Sequence, residues 1–169
     1  MKRSEIEVGG IYFDGKAGVR RIIGEGGKFR TFSGQTDCDC VEYEVLAARA
    51  HRRRRGVSTR SSKASWARER VPERDLPGLL LRLQAAAMRL PPQLRAFFST
   101  FTQAAWEGER QVRCDAAKYR LVRMALQRGL VEDVIRSRDG VNATITYLGA
   151  VYLAYHGAAT APQSAIGEV

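Results

Sequence analysis

Apolar and polar residues alternate in short runs over the first third of the chain and recur at helical spacing over the rest. Gly10-Ile11-Tyr12-Phe13 is a short apolar run stopped by Asp14-Gly15, a turn pair. Gly18-Val19-Arg20-Arg21-Ile22-Ile23 follows and ends in Gly24-Glu25-Gly26-Gly27, a second turn. Phe29-Arg30-Thr31-Phe32 is read as a third strand. Val41-Glu42-Tyr43-Glu44-Val45-Leu46 alternates apolar and acidic residues, the pattern of a half-buried strand. Gly56-Val57-Ser58-Thr59 closes the set, and the run 62–70 begins with a capping serine and reads as a short helix. Several short strands separated by glycine turns predict a small antiparallel β-barrel.

From Pro72 and Pro77 onward the period changes to that of helices. Leu76 to Leu90 is rich in leucine and alanine, and Pro91-Pro92 stops it. Leu94 to Trp106 is read as a second helix whose Phe97, Phe98, Phe101 and Trp106 belong to a core. Asp115 can cap a helix over 116–128. On that helix Tyr119, Val122 and Leu126 share a face widened by Leu121 and Ala125, while Arg120, Arg123 and Gln127 share another, flanked by Lys118 and Met124. Gly129 is a natural terminator. Leu130 to Arg136 and Ala143 to Tyr147 read as two strands joined by a turn over 137–141, and Leu148 to Tyr155 as a closing helix. The expected fold class is α+β: a small antiparallel β-barrel with an arginine-rich loop over 1–72, a mainly helical domain over 73–157, and a small, polar, disordered tail over 158–169.

Charge sharpens this picture. The 169 residues carry a formal net charge of +10. Between Arg49 and Arg70 lie nine basic residues and one acid, a local +8, centred on His51-Arg52-Arg53-Arg54-Arg55 and continued by Arg60 and Lys63. Such a block cannot be packed in a core, because each guanidinium would lose its hydration. It must face solvent, either as a solvated loop or as a surface for phosphates, where each arginine displaces a condensed counterion. No stretch approaches the roughly 18 apolar residues of a membrane span, and no lipidation or amphipathic signal accompanies the basic run. The polar start Met1-Lys2-Arg3-Ser4-Glu5 has no secretory apolar segment behind it, which implies a cytoplasmic protein.

Chemistry of other kinds finds little footing. Cys38-Asp39-Cys40 has only Cys114, His51 and His156 to complete a zinc site, and a pair of reduced thiols on a strand is the simpler reading. The chain contains no P-loop, nucleophile elbow or HExxH motif, and Gly24-Glu25-Gly26-Gly27 opens no helix that could cradle a phosphate. No catalysis and no cofactor are expected.

Two stretches resemble known families. Gly9-Gly10-Ile11-Tyr12, Gly18-Val19-Arg20-Arg21-Ile22, Val41-Glu42-Tyr43 and Ser62-Lys63-Ala64-Ser65-Trp66-Ala67 together resemble small phage proteins of the Src-homology-3-like barrel type, to which no function is assigned. That resemblance implies a barrel and a mobile-element origin. Leu126-Gln127-Arg128-Gly129-Leu130-Val131, Arg138-Asp139-Gly140 and Thr146-Tyr147-Leu148-Gly149 resemble the winged-helix regulators of the multiple-antibiotic-resistance type. It implies a recognition helix, a two-stranded wing and a closing helix. The run from Glu107 to Cys114 departs from that pattern, because it leaves no room for a separate scaffold helix before Ala116.

Together these readings describe a non-catalytic double-stranded-DNA-binding protein of a phage or mobile element, a transcriptional regulator or architectural factor. The alternative is a protein-interaction module or inhibitor that binds a host protein or nucleoprotein complex. The expected contact residues are Arg52, Arg53, Arg54, Arg55, Arg60 and Lys63 in the basic block, Lys118, Arg120, Arg123 and Gln127 on the helix, and Arg136, Arg138 and Asn142 on the hairpin. A homodimer formed through Leu76–Leu90 is expected from the prevalence of two-fold symmetry.

Overall fold

The structure is a computed structural model that describes residues 1–26, 29–30, 36–37, 39–48, 55–59 and 67–157. It is α+β, with antiparallel sheets and five helices among the described residues. The chain divides into two compact units, 1–80 and 81–169.

The first unit is built on β1 (Ile11–Phe13), β2 (Val19–Gly26), β5 (Cys40–Ala47), β6 (Arg55–Thr59) and β7 (Glu69–Arg70), in the order β6-β5-β2-β1-β7. A separate ladder pairs β3 (Phe29–Arg30) with β4 (Thr36–Asp37). Ile6, Tyr12, Ile22, Val41 and Ala67 form the core. Tyr12 is fully buried; its hydroxyl donates to the Glu5 carbonyl at 2.8 Å and accepts from the Glu7 amide at 2.8 Å, which ties the N-terminal 3-10 turn to the sheet. Its ring lies on Gly10, where a Cβ would come within 2.5 Å of the phenol oxygen. The turn after β1 is held by Asp14, whose Oδ1 accepts from the amides of Lys16, Ala17 and Gly18.

Two expectations are corrected here. The sheet is not a closed barrel: among the described residues β6 and β7 are its open edges. Closure requires long, tilted, staggered strands, and β1 and β7 have three and two residues. The short helix expected up to Arg70 does not reach that far, because Glu69 and Arg70 pair with Phe13 and Tyr12 as a strand. Residues 62–66 of that expected helix lie outside the described residues.

Helix α1 (Leu76–Ala87) starts with proline in its first turn, where no amide partner is lost. Arg89 closes its far end by donating to the carbonyls of Ala86 and Met88.

The second unit continues with α2 (Pro92–Ser99), α3 (Thr102–Trp106), β8 (Gln111–Cys114), α4 (Tyr119–Leu126), β9 (Val131–Ser137), β10 (Gly140–Ile145) and α5 (Tyr147–Gly157). The expected single helix over 94–106 is broken. Thr100 and Thr102 hydroxyls bond back to the carbonyls of Phe97 and Ser99, and such bonds compete with the helical ladder. The break turns Phe101 inward, edge-on to Phe97 and Phe98 with ring centroids 5.2 and 6.0 Å away. Trp106, expected in the core, is 58% exposed. Leu126, expected on the buried face of its helix, is exposed as well.

The stretch before Ala116 that has no room for a scaffold helix is a strand. β8 pairs antiparallel with β10, and the sheet order is β8-β10-β9. A 3-10 turn (Ala116–Lys118) and α4 alone separate β8 from β9, and α4 packs against α2 and against β9 and β10. Val141, Ala143 and Ile145 point into a core shared with Leu94, Phe98, Val122, Leu130, Tyr152 and Leu153. Asn142 and Thr144 alternate with them and face away. No helix among the described residues is long and apolar enough to cross a membrane.

Candidate nucleic-acid interface

Helix α4 is fixed at both ends by local chemistry. Asp115 Oδ1 accepts from the Ala117 amide at 2.7 Å and caps the 3-10 turn. At the other end Gly129 takes φ 68°, a left-handed conformation that glycine adopts without steric cost. The Leu130 amide then reaches the Ala125 carbonyl at 3.0 Å and the Gly129 amide the Leu126 carbonyl at 2.9 Å, the bond pair of a Schellman stop. Val122 and Ala125 bury the inner face. Arg120, Arg123 and Gln127 are exposed on the outer face. Among the described residues no hydrogen bond or ion pair engages their side chains. Lys118 is exposed in the preceding 3-10 turn.

The β9–β10 hairpin follows. Ser137 Oγ donates to the Gly140 carbonyl across its turn. Arg113 Nη2 on β8 donates to the Asp139 carbonyl at 3.3 Å, so the turn is tied to the neighbouring strand. Arg138 is exposed at the tip. Gly140 has φ 154°, and a Cβ there would lie 2.7 Å from the Cys114 carbonyl oxygen, so this position admits no side chain. Arg136 projects on the inner side and lays its guanidinium over Tyr119, 4.7 Å from the ring centroid. Asn142 lies on the other side of the sheet, in a depression it shares with Gln111, Arg113, Asp133, Ile135 and Thr144. Asp133 enters that depression from a β-bulge with φ 50°, an uncommon conformation for a residue with a side chain.

The structure therefore brings Lys118, Arg120, Arg123 and Gln127 together along α4 and the residues at its two ends, sets Arg138 at the adjoining hairpin tip, holds Arg136 between the two, and separates Asn142 from them. Arg55 is exposed at the first position of β6, opposite Glu44. Arg52, Arg53, Arg54, Arg60 and Lys63 lie outside the described residues. Over 81–157 the sequence holds eleven basic and six acidic residues. Several of the arginines are occupied. Arg110 donates to the Ile145 carbonyl, approaches Glu132 at 3.6 Å and stacks on Tyr147, and Arg128 donates to the Met124 carbonyl. Sequence reasoning missed both Arg113 and the role of Tyr119. Alternation in Gln111-Val112-Arg113-Cys114 would have signalled β8, whereas nothing in the sequence pairs positions 119 and 136.

Among the described residues no three His, Cys, Asp or Glu side chains cluster as metal ligands. Cys38 and His51 lie outside those residues. Burial and the neighbouring Asp115 carboxylate push the Cys114 thiol above its ordinary pKa, against the pull of Lys118, which keeps it protonated near neutral pH. On α1, Leu79 is buried and Leu80 and Leu81 are half-buried.

Comparison with protein-family models, with curated proteins and with solved structures finds no match to this chain.

Proposed function

We propose that the second unit is a reduced winged helix that docks on double-stranded DNA, with α4 in the major groove and the β9–β10 tip on the backbone. The observation that carries this reading is the exposed, unengaged set of Arg120, Arg123 and Gln127 on the face of α4 opposite Val122 and Ala125. Arginine grips O6 and N7 of guanine through two bonds, and glutamine pairs with adenine in the same way. Lys118 and Arg138 supply phosphate contacts that position without specifying. The arginine block of the first unit adds sequence-independent affinity, so the whole chain acts as a regulator or architectural factor rather than an enzyme.

The test begins with selection of preferred duplexes from a random pool. Arg123→Ala should cost about 1–3 kcal/mol on an enriched duplex and little on unselected DNA, whereas Arg138→Ala should weaken both alike. An Arg123→Ala variant that weakens every duplex equally, or none, removes α4 as a reader.

A second reading, a module that binds a host protein or nucleoprotein complex, has its own support. Trp106, Tyr147 and Tyr155 are 58%, 72% and 60% exposed, and exposed aromatics are common anchors at protein interfaces. Duplex selection that enriches no sequence would favour it.

A further inference from the structure

Arg136 differs from Arg138, the other basic residue of the hairpin, in being held by the chain itself. It pairs in register with the buried Val141 on β10, so it projects toward the helices, while Ile135 and Asn142 project the other way. Its guanidinium carbon lies 4.7 Å from the centroid of the Tyr119 ring, inside the ~6 Å range of a cation–π contact. Tyr119 is the first residue of α4 and packs against the core of the unit, so the ring is a fixed platform. Arg120 follows Tyr119 directly, and Arg138 lies two residues beyond Arg136. The stack thus joins the start of the helix to the hairpin, between the residues proposed to read bases and Arg138, proposed to touch phosphate.

We infer that Arg136 and Tyr119 form a strut that sets the angle between α4 and the hairpin, which makes Arg136 a positioning residue for duplex binding rather than a phosphate contact. This rests on the DNA-binding reading above. A strut and a phosphate contact leave different signatures. Loss of a phosphate contact lowers the dependence of log affinity on log salt by about one unit, whereas loss of a strut lowers affinity and leaves that slope in place.

The probe is a mixed-sequence duplex titrated with the full chain at several salt concentrations. Arg136→Gln and Tyr119→Leu should each weaken binding about fivefold with an unchanged slope. The double variant should be no weaker than either single one, because both remove the same contact. Tyr119→Phe, which keeps the ring, should bind as the parent does. A reduced slope for Arg136→Gln together with full affinity for Tyr119→Leu would overturn the inference. The stack is also read without DNA: ring current should shift the Arg136 side-chain protons upfield, and Tyr119→Leu should abolish that shift. A free protein with no such shift overturns the strut whether or not the chain binds DNA. A parent chain that shows the shift but binds no duplex at any salt overturns the DNA-binding reading, and with it the role assigned to Arg136.

Discussion

Where α5 begins, the chain passes so close to Leu130 that one position has room only for hydrogen. A Cβ at Gly149 would clash with the Leu130 carbonyl oxygen and crowd the Ile145 side chain at 3.0 Å. Thr146 completes the junction. Its hydroxyl donates to the Gly129 carbonyl at 2.6 Å and accepts from the Gly149 amide at 3.0 Å, capping the helix. The run Thr146-Tyr147-Leu148-Gly149 was legible in the sequence as a pattern, and this geometry gives its physical content: a cap, then a contact too close for a side chain. Gly149→Ala should therefore destabilise the second unit by about 1–3 kcal/mol, read as a lower urea midpoint. An unchanged midpoint would mean the backbone yields at no cost.

Asp14 makes a different prediction. Burial raises the pKa of its carboxyl, but the amides of Gly18, Lys16 and Ala17, with Arg20 nearby, outweigh burial and hold it below the ordinary value. A folded pKa below the unfolded one stabilises the fold at and above the unfolded value, and that contribution fades as pH falls through the folded value. Asp14→Asn should cost stability at neutral pH, and the gap between variant and parent should shrink as the solution is made acidic. Urea titrations at neutral and acidic pH check this; a gap that stays constant would assign no role to the carboxylate charge. Asp14-Gly15 was readable as a turn because the dipeptide is a strong local signal. The clasp of Tyr12 on Glu5 and Glu7 was not, because it depends on where a core side chain comes to rest.

At the scale of elements, the helix 116–128 and the hairpin after it were legible because cap, terminator and alternation are local. The Schellman stop at Gly129 is one such signal, written within six residues. One element was misread and one was left unassigned. The break between α2 and α3 comes from threonine hydroxyls turning back on the main chain, against an unbroken apolar rhythm. β8 alternates, but over only four residues, and it has the β10 edge to pair with, so local pattern and tertiary pairing act together there. A two-stranded hairpin would leave alternate β10 amides facing solvent, whereas a central β10 has both edges paired. Amide hydrogen exchange should accordingly be slow at every position from Val141 to Thr144. Fast exchange at alternate positions would show that β8 does not pair in solution.

For the molecule as a whole, the charge is lopsided: the stretch from Arg49 to Arg70 carries a net +8 of the chain's +10. This was readable from composition alone, since no fold can bury four consecutive arginines. What composition could not supply is the open sheet that stands in place of a barrel, with Arg55 exposed on its edge strand. If the block supplies the sequence-independent affinity, replacing Arg52 to Arg55 with alanine should flatten the salt dependence of binding by about 0.9 unit per lost phosphate contact. It should leave the ratio of affinities for enriched and random duplex unchanged. An unaltered salt dependence would remove the block from the interface.

The bond from Arg113 to the Asp139 carbonyl bears on the kinetics of encounter. If the unit docks on DNA as proposed, a hairpin tip tied to a third strand meets the duplex already shaped, so little conformational freedom is lost on docking. Arrival should then be governed by diffusion and long-range attraction, with no slow ordering step to follow. Freed from that tether, the same tip would have to be caught in the right shape, and the cost would fall on the rate of capture rather than on the lifetime of the complex.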